Sequence, residues 1–318
     1  MRFGLSQRMS GSVATHLARR VLLILPTLWV VATVTFFMIR LAPGGPFRAE
    51  REIPPLAREH LMHKYGLDRP LSEQYARFLA NAVRLDFGVS YKYPTRTVRE
   101  ILFEAFPVSA ELGGWALLFA VLFGIPLGVV AAVKQNRAAD FGAMSVALAG
   151  ISIPNFVLGP ALVLGLSLSL FLFPPALWHG PASRVLPVAT LTVTYVAYIA
   201  RLARAGMLEV LRQDYIRTAR AKGLAERVVV FKHALKLGVL PVVSFLGPAS
   251  ARIVMGSIVV ETIFAVPGLG RYLVNAAFNR DYTLVLGVVI CYATFVIALN
   301  LIADILYATL DPRVRYEQ

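Results

Sequence analysis

The segment LEVLRQDYIRTARAKGLAERVVVFKHALK, residues 208–236, is a long polar interval between two apolar stretches. Leu208, Leu211, Tyr215 and Ala219 recur at steps of three and four residues, which predicts one face of a single helix. The segment and its flank are strongly basic, with Arg201, Arg204, Arg212, Arg217, Arg220, Lys222, Arg227, Lys232 and Lys236 against Glu209, Asp214 and Glu226. We therefore expect this segment to lie on the cytoplasmic side of a membrane.

Gly223 interrupts the helical pattern of this segment. Glycine lacks a Cβ atom, so it adopts a positive φ readily and commonly ends a helix. A second helical pattern follows, carried by Val228, Phe231 and Leu235. We interpret the segment as a helix, a sharp turn at Gly223 and another helix, displayed on the membrane surface.

The spacing of this segment resembles the cytoplasmic loop of permease subunits in ATP-driven importers, which reads E-A-A, three residues, G, nine residues, I-x-L-P. Here residues 217–219 read RTA, Gly223 holds the glycine position and residues 233–236 read HALK. The departures are Arg217 for Glu, Thr218 for the first Ala, His233 for Ile and Lys236 for Pro. The words IRTARAKGL and HAL are similar to the B-type permease subunit of oligopeptide and dipeptide importers.

This resemblance implies that the segment is a coupling helix, which docks in a groove of an ATPase subunit. The docking residues would be Tyr215, Arg217, Thr218, Ala219, Arg220, Ala221, Lys222, Gly223 and Leu224. The residues alone also suit a basic helix that lies on anionic headgroups. The implied partners are a second permease in a heterodimer, two ATP-binding subunits that hold ATP and Mg, an extracytoplasmic peptide-binding protein and membrane lipid.

The composition is that of an integral membrane protein. The 318 residues are 57% hydrophobic, which is too apolar for an ordinary soluble domain. The net charge of +14 clusters beside apolar stretches instead of forming a polar domain, so it does not indicate a nucleic-acid partner. The single cysteine, Cys291, lies inside an apolar run and excludes a disulfide framework within the chain.

The apolar stretches predict six spans, since a helix needs roughly 20 residues to cross a bilayer. They are residues 21–40, 108–133, 141–173, 186–205, 237–262 and 282–308, with the coupling loop at 206–236. The first is too long for a signal peptide and lacks a small-residue cleavage site, so we expect it to be retained. Gly124 and Gly128 form a G-x-x-x-G step that permits close helix packing.

The stretch 141–173 is long for one span and contains Pro154 and Pro160, so it is either one kinked helix with an interfacial tail or two half-spans. A single crossing keeps the basic loop inside. Both termini, residues 1–20 and 311–318, are then cytoplasmic in a bacterial inner membrane. The expected fold is all-α, with a type I ABC importer permease (MetI-like) core, an extra N-terminal span and a long extracytoplasmic segment.

Residues 41–107 form that extracytoplasmic segment, in which acidic and basic side chains nearly balance. Residues 72–83 have helical periodicity through Tyr75, Phe78, Leu79 and Ala82. The phrases YGLDRPL and LDFG resemble the same permease subunits. The segment is either a lid that packs on the permease or a landing surface for a substrate-binding protein.

The sequence offers no enzymatic chemistry. It lacks a Gly-Lys dipeptide, and therefore a phosphate-binding loop, so another chain must hydrolyse ATP. It also lacks G-x-S-x-G and H-E-x-x-H, and His60 and His63 have no third metal ligand nearby in sequence. We expect no catalytic residue, no cofactor and no metal in this chain.

Arg252 falls in the middle of the fifth predicted span, where an unpaired charge usually faces a water-filled interior. Our hypothesis is that it lines the translocation path and meets carboxylates of the substrate. The alternative is an ion pair with Asp304 or Glu261 that only holds helices together.

Together these features predict a peptide-import permease that works by alternating access. The resembling family also moves nickel chelates, glutathione and murein peptides. An ion-gradient carrier is the other class, although such carriers usually show internal repeats and midplane ionisable groups.

Overall fold

A computed structural model describes residues 3–41, 45–46 and 55–310. Side chains are described for these residues except at 3–21, 55, 57–58, 251, 254–256, 303–304 and 306–310. Of the predicted cytoplasmic termini, residues 1–2 and 311–318 lie outside the described residues. Within the described part the fold is helical, with one isolated β-bridge between Val89 and Thr97.

The helices follow one another along the whole described chain. They are α1 (Phe3–Leu41), α2 (Pro55–Lys64), α3 (Leu71–Val83), α4 (Val98–Val133), α5 (Ala138–Ser152), α6 (Asn155–Leu162), α7 (Pro181–Leu211), α8 (Asp214–Ala221), α9 (Glu226–Val228), α10 (Leu235–Gly238), α11 (Leu240–Ile263), α12 (Leu269–Phe278) and α13 (Tyr282–Leu310). Two π-helical segments extend them: Val163–Ser169 follows α6, and Val229–Ala234 joins α9 to α10.

Four of these helices are long and apolar enough to cross a membrane: residues 22–41 of α1, all of α4 and α7, and residues 282–302 of α13. The count reaches six when each of two bent helix pairs is taken as one span. The α4 helix begins at Val98, not at residue 108 as expected, because the amphipathic turns before the apolar run continue the helix.

The stretch predicted as the third span contains two helices that meet at 103°. Ile153 is extended, with ψ 114°, as expected for a residue before proline, and Pro154 precedes the first turn of α6. Of the two alternatives for this stretch, the structure has the two short helices, and the bent pair still counts as one span if it crosses the membrane once. A gentler bend of 46° separates residues 226–238 from residues 240–250.

The chain divides into two compact units, which are described separately. The first consists mainly of residues 110–266 and the second of residues 19–109 and 267–295. In the first unit, α4 packs against α7 at glycines. A Cβ atom added at Gly128 would lie 2.3 Å from the Ala200 carbonyl oxygen, and one at Gly124 would lie 2.8 Å from Ile199 Cβ. The predicted close approach through this G-x-x-x-G step is confirmed.

In the second unit, α3 packs its aromatic side chains on α1. The Phe78 ring stacks on Phe36 at 5.4 Å between centroids, and Tyr75 contacts Phe36 edge-on at 5.2 Å. The Tyr75 hydroxyl also shares a hydrogen bond of 2.6 Å with Thr33. The predicted helix at residues 72–83 and its apolar face are confirmed.

Candidate functional site

The predicted coupling segment begins with a break between two helices. Residue Leu211 ends α7, and Gln213 is extended with ψ 151° before α8 starts at Asp214. The prediction of one continuous helix through Leu208 and Ala219 is therefore wrong. The restart is favourable because the Asp214 carboxylate lies in the first turn of α8, where it interacts well with the helix dipole.

Gly223 ends α8 in the conformation that the sequence predicts, with φ +76°. Its N–H donates to the Arg220 carbonyl at 2.9 Å, and the Leu224 N–H donates to the Ala219 carbonyl at 3.4 Å. This pair of bonds is a Schellman motif, which satisfies carbonyls that would otherwise lack partners at a helix end. The turn redirects the chain toward α9.

One face of α8 is seated on the first unit by apolar contacts. Ile216 is fully buried and Ala219 is nearly so. Both belong to a hydrophobic cluster whose other members are Val129, Ala132, Met207, Val210, Val229, Val230 and Ala234. Because the cluster joins the ends of α4 and α7 to the second half of the loop, α8 is anchored to two long helices.

The opposite face of α8 is open to solvent. Of the predicted docking residues, the exposed ones are Tyr215, Arg217, Thr218, Arg220, Ala221, Lys222, Gly223 and Leu224. Ala219 faces the protein instead. It therefore belongs to the buried apolar face of α8, here called the seat, and not to the docking face. Ile216, which holds α8 in place, was missed because the predicted helical face ran through Leu211, Tyr215 and Ala219 and did not include it.

The second half of the loop also differs from its predicted pattern. Val228, Phe231 and Leu235 do not form its buried face, since the Phe231 side chain is 66% exposed and Val229, Val230 and Ala234 are buried. The cause is the π-helical segment, which has more residues per turn than an α-helix and rotates the side chains accordingly. Phe231 and Val228 consequently leave apolar surface exposed in the second half of the loop.

A charged pair fastens the two halves of the loop across the glycine turn. The Arg220 guanidinium donates two hydrogen bonds to the Glu226 carboxylate, at 2.7 and 3.1 Å. These bonds raise the pKa of Arg220 above its ordinary value. Because both side chains are about half exposed, the pair fixes geometry more than it contributes stability.

The base of the loop is held by close backbone packing and a buried ion pair. A Cβ atom at Gly206 would lie 2.3 Å from the Gly238 carbonyl oxygen, so α7 and α10 touch directly. Arg204 of α7 donates two hydrogen bonds to Asp140 of α5, at 2.6 and 2.7 Å, and the Asp140 side chain is only 3% exposed. These contacts tie the base of the loop to α5, α7 and α10.

Arg252 lies on α11 and its side chain is exposed. Its guanidinium lies 6.0 Å from the centroid of the Phe245 ring. The centroids of the Phe245 and Tyr198 rings are 5.8 Å apart, and the Arg201 guanidinium lies 5.5 Å from the centroid of the Tyr198 ring. These four side chains form a strip along α7 and α11. Arg252 makes no ion pair with any described side chain, and Glu261 is fully buried. The Asp304 side chain lies outside the described residues.

Comparison with known proteins places these features in a family. Residues 124–316 match the model of the binding-protein-dependent transport system inner membrane component. The oligopeptide transport system permease protein OppB of Salmonella typhimurium is 46% identical over 300 residues, which cover 94% of this chain and 98% of that protein. The chain belongs to this transport family. It is therefore a multi-pass inner-membrane protein that works with partner subunits.

A second family member agrees with this assignment, and a solved structure shares the fold. The dipeptide transport system permease protein DppB of Bacillus subtilis is 43% identical over 303 residues, which cover 95% of this chain and 98% of that protein. The inward-facing MetNI methionine ABC transporter matches with a TM-score of 0.55 and 16% identity, over 66% of this chain and 96% of that one. This likeness shows that the permease fold is shared.

The seat and the exposed face of α8 are expected to respond differently to truncation. Ile216→Ala removes a fully buried side chain, which should destabilise the packing of α8 by about 2–5 kcal/mol. We expect both peptide uptake by the assembled importer and the thermal stability of the purified subunit to fall. Arg217→Ala removes a largely exposed side chain, paired with Asp214 at 3.4 Å, and should change uptake by less than about twofold. Equal losses in both variants would contradict the division into seat and face.

Proposed function

We propose that this chain is the transmembrane permease subunit of an ATP-driven, binding-protein-dependent importer of oligopeptides or dipeptides. The observation that supports it most directly is α8, a basic and exposed helix on a buried apolar seat, ended by Gly223 at positive φ. The relatives described above are peptide-transport permeases, and they supply the substrate class of this proposal.

Transport proceeds by alternating access. Two ATP-binding subunits, which hold ATP and Mg, close on each other and pull on the coupling helices of this chain and of a second permease. The tight base of the loop at Gly206 and Gly238 passes the displacement to α7 and α10, which reorients the spans. The outward-facing state receives peptide from an extracytoplasmic binding protein that lands on residues 41–107, and both termini are cytoplasmic. The chain itself carries out no chemical reaction.

Arg252 faces the translocation path in this proposal. An exposed guanidinium in the middle of a span is costly against lipid, so its surface meets either water or the second permease. The strip of Arg201, Tyr198, Phe245 and Arg252 offers cations for carboxylates and aromatic rings for apolar side chains. Peptides carry both kinds of group. A nickel chelate, glutathione or a murein peptide would use the same cations.

Loss of the Arg252 charge is expected to slow transport without uncoupling it. Arg252→Gln should lower the initial rate of peptide uptake by about 10-fold, since a hydrogen bond to a charged group is worth roughly 1.5–3 kcal/mol. Arg252→Lys should retain most of the rate because it keeps the charge. Arg137→Gln, a change at an exposed loop residue, is the matched control. Unchanged uptake in Arg252→Gln would show that Arg252 does not line the translocation path.

The permease is expected not to transport alone. Reconstituted by itself into vesicles with ATP and labelled peptide, it should give no uptake, because it lacks a phosphate-binding loop and half of the path. The same vesicles with both ATP-binding subunits, the second permease and the binding protein should accumulate peptide. Uptake by the single chain under an ion gradient would favour a secondary carrier.

A further inference from the structure

A cavity of about 470 Å³ lies within the second structural unit. Its wall is built by the end of α1, the turn after α2, the inner face of α3, residues 86–94 and the start of α13. This volume falls within the range of small-molecule sites, roughly 300–1,000 Å³. Nothing in the proposed coupling mechanism uses it.

The wall of the cavity carries an excess of positive charge. Its cationic side chains are Arg40, Lys64, Arg69 and Arg77, and its carboxylate is Asp86. Arg69 and Arg77 share the single carboxylate of Glu73, at 2.6 and 3.0 Å. Arg40 and Lys64 have no carboxylate partner among the described residues. The cavity therefore lacks the counter-charge that would balance its wall.

Arg40 is held in a fixed position in the wall of this cavity. Its Nε atom donates to Gln74 Oε1 at 3.2 Å, and Nη1 donates to the Phe36 carbonyl at 3.3 Å. The guanidinium also lies 3.5 Å from the centroid of the Phe36 ring. Gln74 is itself oriented by bonds from its Nε2 atom to the carbonyls of Leu67 and Arg69. Nη2 makes no hydrogen bond to any described residue, so it is left for a ligand.

Tyrosine side chains line the cavity beside Arg40. The ring centroid of Tyr91 lies 4.6 Å from that of Tyr65 and 6.2 Å from that of Tyr282. The Arg40 guanidinium lies 5.5 Å from the centroid of the Tyr282 ring. Burial raises the pKa of Tyr91 above its ordinary value, so this phenol stays neutral. A half-buried guanidinium among aromatic rings has lost much of its hydration. A charge-assisted hydrogen bond to an anion compensates for that loss.

We propose that this cavity binds the C-terminal carboxylate of a peptide, with Arg40 as the principal partner of that carboxylate. The inference rests on the proposed function for the identity of the ligand. Its aliphatic wall is limited to Leu67, Val89 and Leu286, which is too little to hold the acyl chains of a phospholipid. A peptide end has a suitable size, a negative charge and amide groups that the Asn81 side chain can meet.

The test measures binding of tri-alanine and of tri-alanine amide to the assembled importer in nanodiscs of neutral lipid, without ATP and without binding protein. Wild type should bind the free acid at least about 10-fold more tightly than the amide, since the amide cannot accept the charged hydrogen bond. Because Arg252 is also proposed to meet carboxylates, the Arg40 variants are made in an Arg252→Gln background. In that background Arg40→Gln should remove this preference while leaving the affinity for the amide unchanged. Arg40→Lys should restore part of it. Arg84→Gln, a change at an exposed arginine outside the cavity wall, should keep the full preference.

Several outcomes would overturn the proposal. Equal binding of acid and amide by wild type, or binding of neither, excludes a carboxylate site. Parallel loss of acid and amide binding in Arg40→Gln assigns Arg40 a purely structural role. A preference that appears only when anionic lipid replaces neutral lipid assigns the cavity to headgroups. Uptake of tri-alanine by the complete wild-type importer is measured alongside: normal uptake with no acid preference refutes the cavity site alone, whereas absent uptake refutes the proposed function.

Discussion

Replacing Gly128 with leucine is expected to prevent the subunit from accumulating in a folded form. The new Cβ atom would lie 2.3 Å from the Ala200 carbonyl oxygen and 2.7 Å from Ala203 Cβ, distances at which atoms overlap. Backbone atoms of α7 cannot rotate away as a side chain can, so α4 and α7 must separate. We expect a cost above the roughly 1–3 kcal/mol that is typical of overpacked cores.

The measurement compares membrane accumulation and thermal unfolding in detergent with those of Gly114→Leu. Gly114 lies on the same helix, and a Cβ atom there would have no neighbour within 4 Å. Both variants carry the same change in helix propensity, so the control isolates the packing effect. Normal accumulation and unchanged melting of Gly128→Leu would mean that α4 and α7 do not pack through these glycines.

Gly223→Val is expected to uncouple transport while leaving the subunit folded. Gly223 has φ +76°, and a Cβ atom there would have no neighbour within 4 Å, so the strain comes from the backbone and not from a clash. A β-branched residue in this conformation costs on the order of 1–2 kcal/mol. The chain relieves this strain by undoing the Schellman turn, which displaces Leu224 and the Arg220–Glu226 pair. Substrate-stimulated ATP hydrolysis and uptake should fall together.

Gly223→Asn is the matched control for this variant. Asparagine adds a side chain to the same surface but tolerates positive φ, so it should keep the turn and most of the transport. Membrane accumulation of both variants is measured by immunoblot. Normal transport in Gly223→Val would make the loop a passive anchor on headgroups. Equal loss in both variants would show that the surface, and not the turn, is what matters.

Local features of the loop and of the packing glycines were predictable from the sequence. Gly223 was predicted to turn because only a residue without Cβ takes positive φ freely, and that preference does not depend on the rest of the fold. Gly124 and Gly128 were predicted to permit close packing because their spacing places both on one helix face. The helix at α3 followed from its periodicity in the same way.

Features that depend on tertiary context were not predictable. The break at Gln213 separates two segments that share one periodic pattern, so the predicted helix face contained Tyr215 and missed the buried Ile216. The π-helical segment rotates its side chains, which exposes Phe231, and it has no sequence marker. The Asp140–Arg204 pair joins residues 64 positions apart, and one sequence gives no information on that contact. The cavity around Arg40 depends on three separate segments for the same reason.

The measurement that tests the coupling role of α8 most directly is site-specific photo-crosslinking in the assembled importer. The photoreactive amino acid p-benzoylphenylalanine replaces Thr218, an exposed residue of α8, and separately replaces Arg84, an exposed residue outside the loop. We predict that position 218 forms a covalent product with an ATP-binding subunit and that position 84 does not. Products at position 218 with lipid alone, and none with an ATP-binding subunit, would contradict the assignment of α8 as the coupling helix.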